Sequence, residues 1–287
     1  MTAQERLAYR LLLPVLGVVV VVVTVPFLMA VVQSLEARGG GFAGLDNYVR
    51  ALSSGALYAA LMATAVYAAI VLPAQVLLGL GLALLVHRTI PSTAIRAALY
   101  VLAIVPLVIP PVAVGVIARL IYAPDYGALN HVLISLGLIR EEIQWLSSPA
   151  AAMLSVASVD IWQWTPFVYL VAYAGLQTVP QETVEAAQVD GASGWQQFRH
   201  IELAYLRPLL VLIVFFRVAD VLRVFDHVFI LTGGGPGSTT QFLSLHLYRI
   251  GFKFSDLGQA AALAVLVMLF MSILYTLVTR LLPLERD

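Results

Sequence analysis

The sequence predicts an all-α integral membrane protein, a bundle of six membrane-spanning helices with both termini on the cytoplasmic side (N-in, C-in). Three observations carry this expectation. Of the 287 residues, 61% are hydrophobic and 11% charged, and the mean hydropathy is +0.94. Soluble domains hold about 45–50% apolar and about 25% charged residues, so too little polar surface remains here to cover a water-facing globule. Six stretches also reach the roughly 20 apolar residues that a helix needs to cross about 30 Å of hydrocarbon. Finally, the arginines of the short connections divide unequally between the two sides.

Residues 1–10 read as a cytoplasmic N-terminus and 11–287 as the transmembrane domain. The first span covers 11–32. Its apolar run is longer than the roughly 7–15 residues of a signal peptide and lacks a small-x-small cleavage site, so it reads as an uncleaved anchor. The valine run Val18–Val23 is acceptable there, because lipid offers the backbone no competing water. The second span, 57–86, is longer than required and therefore tilted or partly interfacial. The third, 97–122, contains Pro106, Pro110 and Pro111, which remove backbone donors and kink or break a helix. The remaining spans are 150–176, 209–231 and 257–282.

Placing the N-terminus inside leaves Arg6, Arg10, Arg88, Arg96, Arg199, Arg207, Arg280 and Arg286 in the cytoplasm, against Arg38, Arg50, Arg140, Arg249 and Lys253 outside. The balance, eight to five, follows the positive-inside bias. Outside then lie a glycine turn at 39–41, a short interfacial piece around Gly44–Tyr48, a stretch at 123–148 with a short helix over 129–136, and an irregular loop at 233–237. The one long inner connection is 181–203.

Several function classes drop out. A net charge of zero gives no basis for nucleic-acid binding. There are no cysteines, and the five histidines stand singly without metal-ligand spacing. No Gly-x-x-x-x-Gly-Lys-Ser/Thr loop is present, so the chain does not cradle nucleotide phosphates in the usual way. A membrane-embedded enzyme would need a nucleophile–base pair or metal cluster at membrane depth, and none stands out.

The inner connection has a helical pattern from Val184 to Phe198, with Val184, Ala187, Ala192, Trp195 and Phe198 as apolar points, Glu185 and Asp190 polar, and Gly191 at a bend. A helix of this kind fits the groove of a partner or rests on the membrane surface; its low basic content speaks against lipid headgroups.

The segment Glu185-Ala186-Ala187-x-x-Asp190-Gly191-Ala192, followed by Phe198-x-x-Ile201-x-Leu203 and Pro208, resembles the EAA loop of binding-protein-dependent ABC importer permeases. Phe42-x-Gly44-Leu45-x-Asn47-Tyr48, Tyr126-Gly127-x-Leu129-Asn130, Trp162-x-Trp164-Thr165-Pro166-Phe167 and Phe225-Asp226 followed by Leu231-Thr232-Gly233-Gly234-Gly235-Pro236 are similar to the branch importing oligosaccharides, polyols and glycerophosphates. One departure is Ala204, where the family usually carries proline.

The resemblance implies the type I ABC importer permease fold and a non-catalytic subunit in the bacterial inner membrane. It implies that Glu185, Ala186, Ala187, Asp190, Gly191 and Ala192 dock into a cytoplasmic ATPase dimer, and that Phe198, Ile201 and Leu203 tie the loop to the membrane domain. ATP and Mg2+ would be bound by that ATPase, with no cofactor in this chain. A second, similar permease subunit (a heterodimer) and an extracytoplasmic solute-binding protein are the other implied partners, the latter meeting Gly233, Gly234, Gly235 and Pro236. An ion-coupled secondary transporter working through Asp160 and Asp220 is the alternative from another class; it usually shows repeated halves, and none is evident. Within the importer class the solute could be a sugar, a glycerophosphate or another compound.

Arg217, Asp220, Arg223 and Asp226 recur every third residue along the fifth predicted span with alternating sign, so that neighbours can pair. An ionisable group at the bilayer centre costs at least about 2.5–3.5 kcal/mol and therefore faces the bundle interior or a water-filled path. Asp160 is expected at a depth comparable with Arg223 and Asp226, with Trp162 and Trp164 nearby. These seven residues read as a translocation path for a hydroxylated solute; the alternatives are an ion-pair ladder locking helices together for the five charged residues and an interfacial aromatic belt for Trp162 and Trp164.

Overall fold

The structure, a computed structural model, describes residues 12–281; the predicted N-terminus (1–10, with Arg6 and Arg10) and Arg286 lie outside the described residues. Apart from one antiparallel bridge between Glu36 and Phe42, the regular structure of the described residues is helical. In chain order the helices are α1 (Leu12–Ser34), α2 (Asp46–Leu52), α3 (Gly55–Thr89), α4 (Thr93–Val108), α5 (Pro111–Ile121), α6 (Ala128–Ser135), α7 (Pro149–Leu176), α8 (Gln181–Val189), α9 (Gly194–Gln197), α10 (Leu203–Arg223), α11 (Asp226–Leu231), α12 (Leu243–Tyr248) and α13 (Leu257–Leu281).

Helices occupy all six predicted spans, but not as six uninterrupted rods. By length and composition α1, α3 and α13 can each cross a membrane, and α4 with α5 makes a fourth crossing if the pair counts as one. The α4–α5 pair bends by 92°. Ile109 is extended (ψ 125°) because the ring of Pro110 excludes the helical conformation from the residue before it, and Pro111 restarts the helix at its first position. α7 and α10, 28 and 21 residues long, are less apolar because they carry the polar residues that the interior receives.

The described residues divide into two compact units: 12–57 together with His246–Leu274, and Tyr58–Leu245 together with 275–281. In the first unit Val18–Val23 are all exposed, an arrangement that only lipid can solvate. Asn47 is fully buried below the end of α1. Its Nδ2 donates to the carbonyls of Ser34 and Glu36, both at 2.8 Å, and its Oδ1 accepts from Arg50, which also reaches Asp256 at 3.1 Å. Gly258 packs so closely here that a Cβ would stand 2.6 Å from the Glu36 carbonyl oxygen.

The second unit holds the core, where Tyr67, Val71, Val114, Val156, Val221 and Phe242 meet from four helices and the loop before α12. α11 packs on α5, α4 on α7, and α10 on α7. Small residues set the spacing: a Cβ on Gly79 would lie 2.6 Å from Val168 Cβ, so α3 and α7 approach almost backbone to backbone. α7 is started by Ser148, whose hydroxyl accepts from the Ala151 N–H at 3.3 Å, with Pro149 at the first helical position.

The fifth predicted span differs most from expectation. Helix begins earlier, at Leu203, and breaks at Val224–Phe225, so α10 and α11 are separate. No proline causes this break. The Ser244 hydroxyl donates to the freed Val224 carbonyl, and such internal satisfaction is what allows broken backbone within a membrane domain.

Candidate functional site

The spacing of Arg217, Asp220 and Arg223 on α10 places them along one face, and the pairs form as i,i+3 neighbours: Arg217 Nη1 to Asp220 Oδ2 at 3.3 Å, and Arg223 Nη2 to Asp220 Oδ1 at 2.8 Å. Asp226 does not continue this row, because it opens α11 after the break. Asp160, on α7, pairs with Arg217 and borders the same cavity as Arg223 and Asp226. Arg217 Nη2 donates to Asp160 Oδ2 at 2.7 Å, with both side chains almost wholly buried.

Two glutamines complete the arrangement. Gln75 on α3 accepts from Arg217 Nε at 2.9 Å through Oε1 and donates to the Asp160 carboxylate at 3.0 Å and carbonyl at 3.1 Å through Nε2. A buried ion pair needs such additional bonds to offset the cost of leaving water. Gln163 donates from Nε2 to the Ile109 carbonyl at 3.1 Å, satisfying the backbone at the α4–α5 bend, while its Oε1 is buried with no hydrogen-bond partner among the described residues. The Arg217 guanidinium lies 4.6 Å from the centre of the Trp164 ring, within cation–π range. Beyond this lock opens a cavity of about 230 Å3 bounded by Trp164, Gln163, Asp220, Arg223, Asp226 and His227. His227 is buried, with Nε2 at 3.4 Å from the Tyr67 hydroxyl.

Trp162 is not part of this cavity. Two residues from Trp164, it falls on a different face of α7; it is half exposed and borders an apolar groove with Val114, Ile117 and Tyr122. Gln75, Gln163, Tyr67 and His227 were not singled out from sequence. The available signal was polar side chains inside otherwise apolar spans, which at membrane depth mark interior contacts.

The inner connection forms two short helices. In α8, Glu185 and Ala186 are exposed and Ala187 is half-buried; the Gln181 amide donates to Glu185 Oε1 at 2.7 Å. Asp190 ends the helix, Gly191 turns the chain at φ +76°, a left-handed conformation favouring glycine, and Ala192 follows half-buried. Ser193 and Gln196 then form a reciprocal capping box that starts α9. A π-helical turn over Phe198–Glu202 leads directly into α10, so helix is continuous from Gly194 to Arg223. Ala204 keeps the N–H that a proline would lack, and Pro208 lies inside α10.

Phe198, Ile201 and Leu203 are half-buried, but the tightest tie was not anticipated. Glu202 is buried and bonded to Arg88, at the end of α3, at 2.7 Å; Arg88 also donates to the Gly194 carbonyl at 3.2 Å. One arginine thus joins the end of α3 to the start of α9 and to the end of the π-helical turn before α10. Around it a cavity of about 750 Å3, bordered by Gln177, Val184 and Gln188, separates α8 from the helix ends.

The glycine loop after α11 is braced rather than loose. Gly233 and Gly234 take positive φ, the Thr232 and Thr240 hydroxyls meet at 2.7 Å, and Thr240 Oγ1 donates to the Gly235 carbonyl at 2.8 Å; Pro236 is half-buried.

Residues 75–286 match the family described as "Binding-protein-dependent transport system inner membrane component". The chain is 36% identical over 265 residues to the probable ABC transporter permease protein y4oQ of Sinorhizobium fredii, covering 90% of this chain and 84% of that one. It is 32% identical over 268 residues to the trehalose/maltose transport system permease protein MalF of Thermococcus litoralis, covering 92% and 89%. The fold matches a chain of a crystal structure of a bacterial ABC transporter involved in the import of the acidic polysaccharide alginate, with TM-score 0.83, 22% identity, and 99% and 97% of the two chains covered. The chain belongs to the inner membrane components of binding-protein-dependent transport systems, as the non-catalytic, multi-pass permease subunit of an ATP-driven importer.

Proposed function

We propose that this subunit forms half of the translocation path for a carbohydrate or related polyhydroxylated solute. The observation that carries the reading is the cavity at the α10–α11 break, where Trp164, Asp220, Arg223 and Asp226 meet beside a buried Arg217–Asp160 lock. Aromatic faces suit the apolar face of a sugar ring, and carboxylates and guanidinium groups suit its hydroxyls. Relatives point the same way: one is named for trehalose and maltose, and the alginate importer shares the fold. These two differ in solute charge, so likeness alone leaves that property open.

In this reading the seven expected path residues divide by role. Asp160 and Arg217 lock α7 to α10; Trp164, Asp220, Arg223 and Asp226 face the solute; Trp162 lies on the apolar side of α7. The membrane domain takes six crossings, N-in and C-in, and pairs with a second permease subunit. The 181–203 loop docks into a cytoplasmic ATPase dimer that holds ATP and Mg2+; the exposure of Glu185, Ala186, Asp190 and Gly191 supports this. Gly233–Pro236 meet the solute-binding protein, and their bracing makes them a shaped rim.

The test is reconstitution with the ATPase, second permease and binding protein in liposomes. ATP-dependent uptake of a carbohydrate, lost in the Asp220→Ala variant while the complex stays assembled, is the expected result. Ion-driven uptake by this chain alone would refute the proposal.

A further inference from the structure

The cavity's own chemistry bears on which polyhydroxylated solutes it accepts, and this step rests on the path reading above. The charges facing it do not cancel. Asp160, Asp220 and Asp226 stand against Arg217 and Arg223. Arg217 is spent on Asp160, Asp220 and Gln75 and is almost wholly buried. That leaves Asp220 and Asp226 against Arg223, which is exposed but already bonded to Asp220 and to the Ala219 carbonyl. Counting these carboxylates and guanidinium groups, the balance is one negative charge.

The groups left without partners are acceptors. Gln163 Oε1 is buried and unsatisfied, on a side chain only 2% exposed at the cavity wall. The Asp226 carboxylate makes no hydrogen bond or ion pair among the described residues, and neither does it share the row of pairs on α10. A buried acceptor is costly to leave unmet and is answered by a hydroxyl hydrogen, never by a carboxylate or sulfonate. In a site partly shielded from water, a like charge is disfavoured more strongly than in bulk solvent.

We infer that this cavity selects uncharged, hydroxyl-rich solutes over anionic ones, with Asp226 as the charge-discriminating residue and Gln163 as a hydroxyl acceptor. Asp226 accepts one or two sugar hydroxyls and repels an acidic substituent. Gln163 adds a neutral hydrogen bond that does not distinguish the two classes.

The experiment uses the assembled ATPase–permease complex in detergent, without the binding protein so that its selectivity does not intervene. Saturation-transfer NMR reads millimolar affinities for two probes, maltose and its carboxylated counterpart maltobionate. Maltose is expected to bind at least about tenfold more tightly. Asp226→Asn, an isosteric change on an exposed side chain, should shrink that ratio about tenfold by improving maltobionate. Gln163→Met should weaken both probes about fivefold, one neutral hydrogen bond each, and leave the ratio alone. Equal affinities in the unmodified complex, or a ratio unmoved by Asp226→Asn, overturn the charge selection and leave the path reading standing. If neither maltose nor maltobionate binds, the path reading falls and the selection with it. Unchanged affinities in Gln163→Met remove Gln163 from the assignment.

Discussion

Arg217 and Asp160 face each other at 2.7 Å with their side chains 2% and 3% exposed, and Gln75 bonds to both. Removing one partner leaves a charge without compensation in a medium that solvates it poorly. Asp160→Ala or Arg217→Ala should therefore destabilise the subunit by about 3–5 kcal/mol, whereas an apolar double replacement, Asp160→Leu with Arg217→Met, should cost far less. Thermal unfolding of the purified complex and the yield of assembled subunit check this. A double variant no more stable than either single one would contradict the lock.

Arg88 and Glu202 make the corresponding tie at the inner connection. Arg88→Ala should leave the subunit assembled but reduce transport per ATP hydrolysed, because the loop is no longer fixed to the end of α3. The single variants Arg88→Ala and Glu202→Ala and their double should be non-additive, with a coupling on the order of 1 kcal/mol. Additive losses in a double-mutant cycle on transport-coupled ATPase activity would dissolve the proposed tie.

Gly191 has open space around it but a φ of +76°. The cost of Gly191→Ala is thus conformational, about 1–2 kcal/mol, and Gly191→Asn should be milder because asparagine tolerates the left-handed region. Co-purification of the ATPase should fall in that order; an alanine variant that retains the ATPase as well as the native chain would show that this turn is not required.

Gly79 makes the opposite kind of demand. A methyl group there would meet Val168 Cβ at 2.6 Å and the Tyr169 N–H at 2.9 Å. Gly79→Ala should destabilise by about 1–3 kcal/mol through forced separation of α3 and α7. Gly81, which has nothing within 4 Å, is the control, and its alanine variant should unfold at the native temperature.

Much of this was legible because it rests on local chemistry. The α4–α5 bend is written in Pro110 and Pro111, and the Arg217–Asp220–Arg223 pairs in their spacing of three. The α10–α11 break was not legible, because no proline or glycine marks it: Ser244, twenty residues away, satisfies Val224. The same break removed Asp226 from the row that simple periodicity assigned it to. Asp160's partner depended on how α7 is rotated, which one apolar helix does not reveal. Glu202 and Arg88 are 114 residues apart and stand in loop-like sequence, so only the folded chain brings them together.

The unbroken helix from Gly194 to Arg223 sets a mechanical scale for the molecule. From the Arg88-bonded end at Gly194 to Asp220 it spans roughly 40 Å at 1.5 Å per residue. A rod of that length acts as a lever arm: a swing of about ten degrees about one end carries the other through roughly 7 Å, more than the width of a sugar ring. If the proposed coupling and path assignments hold, motion passes from one end of this rod to the other through a pivot alone, with no relay of side-chain rearrangements. Pro208, inside the rod, is where any give in the stroke would be felt first.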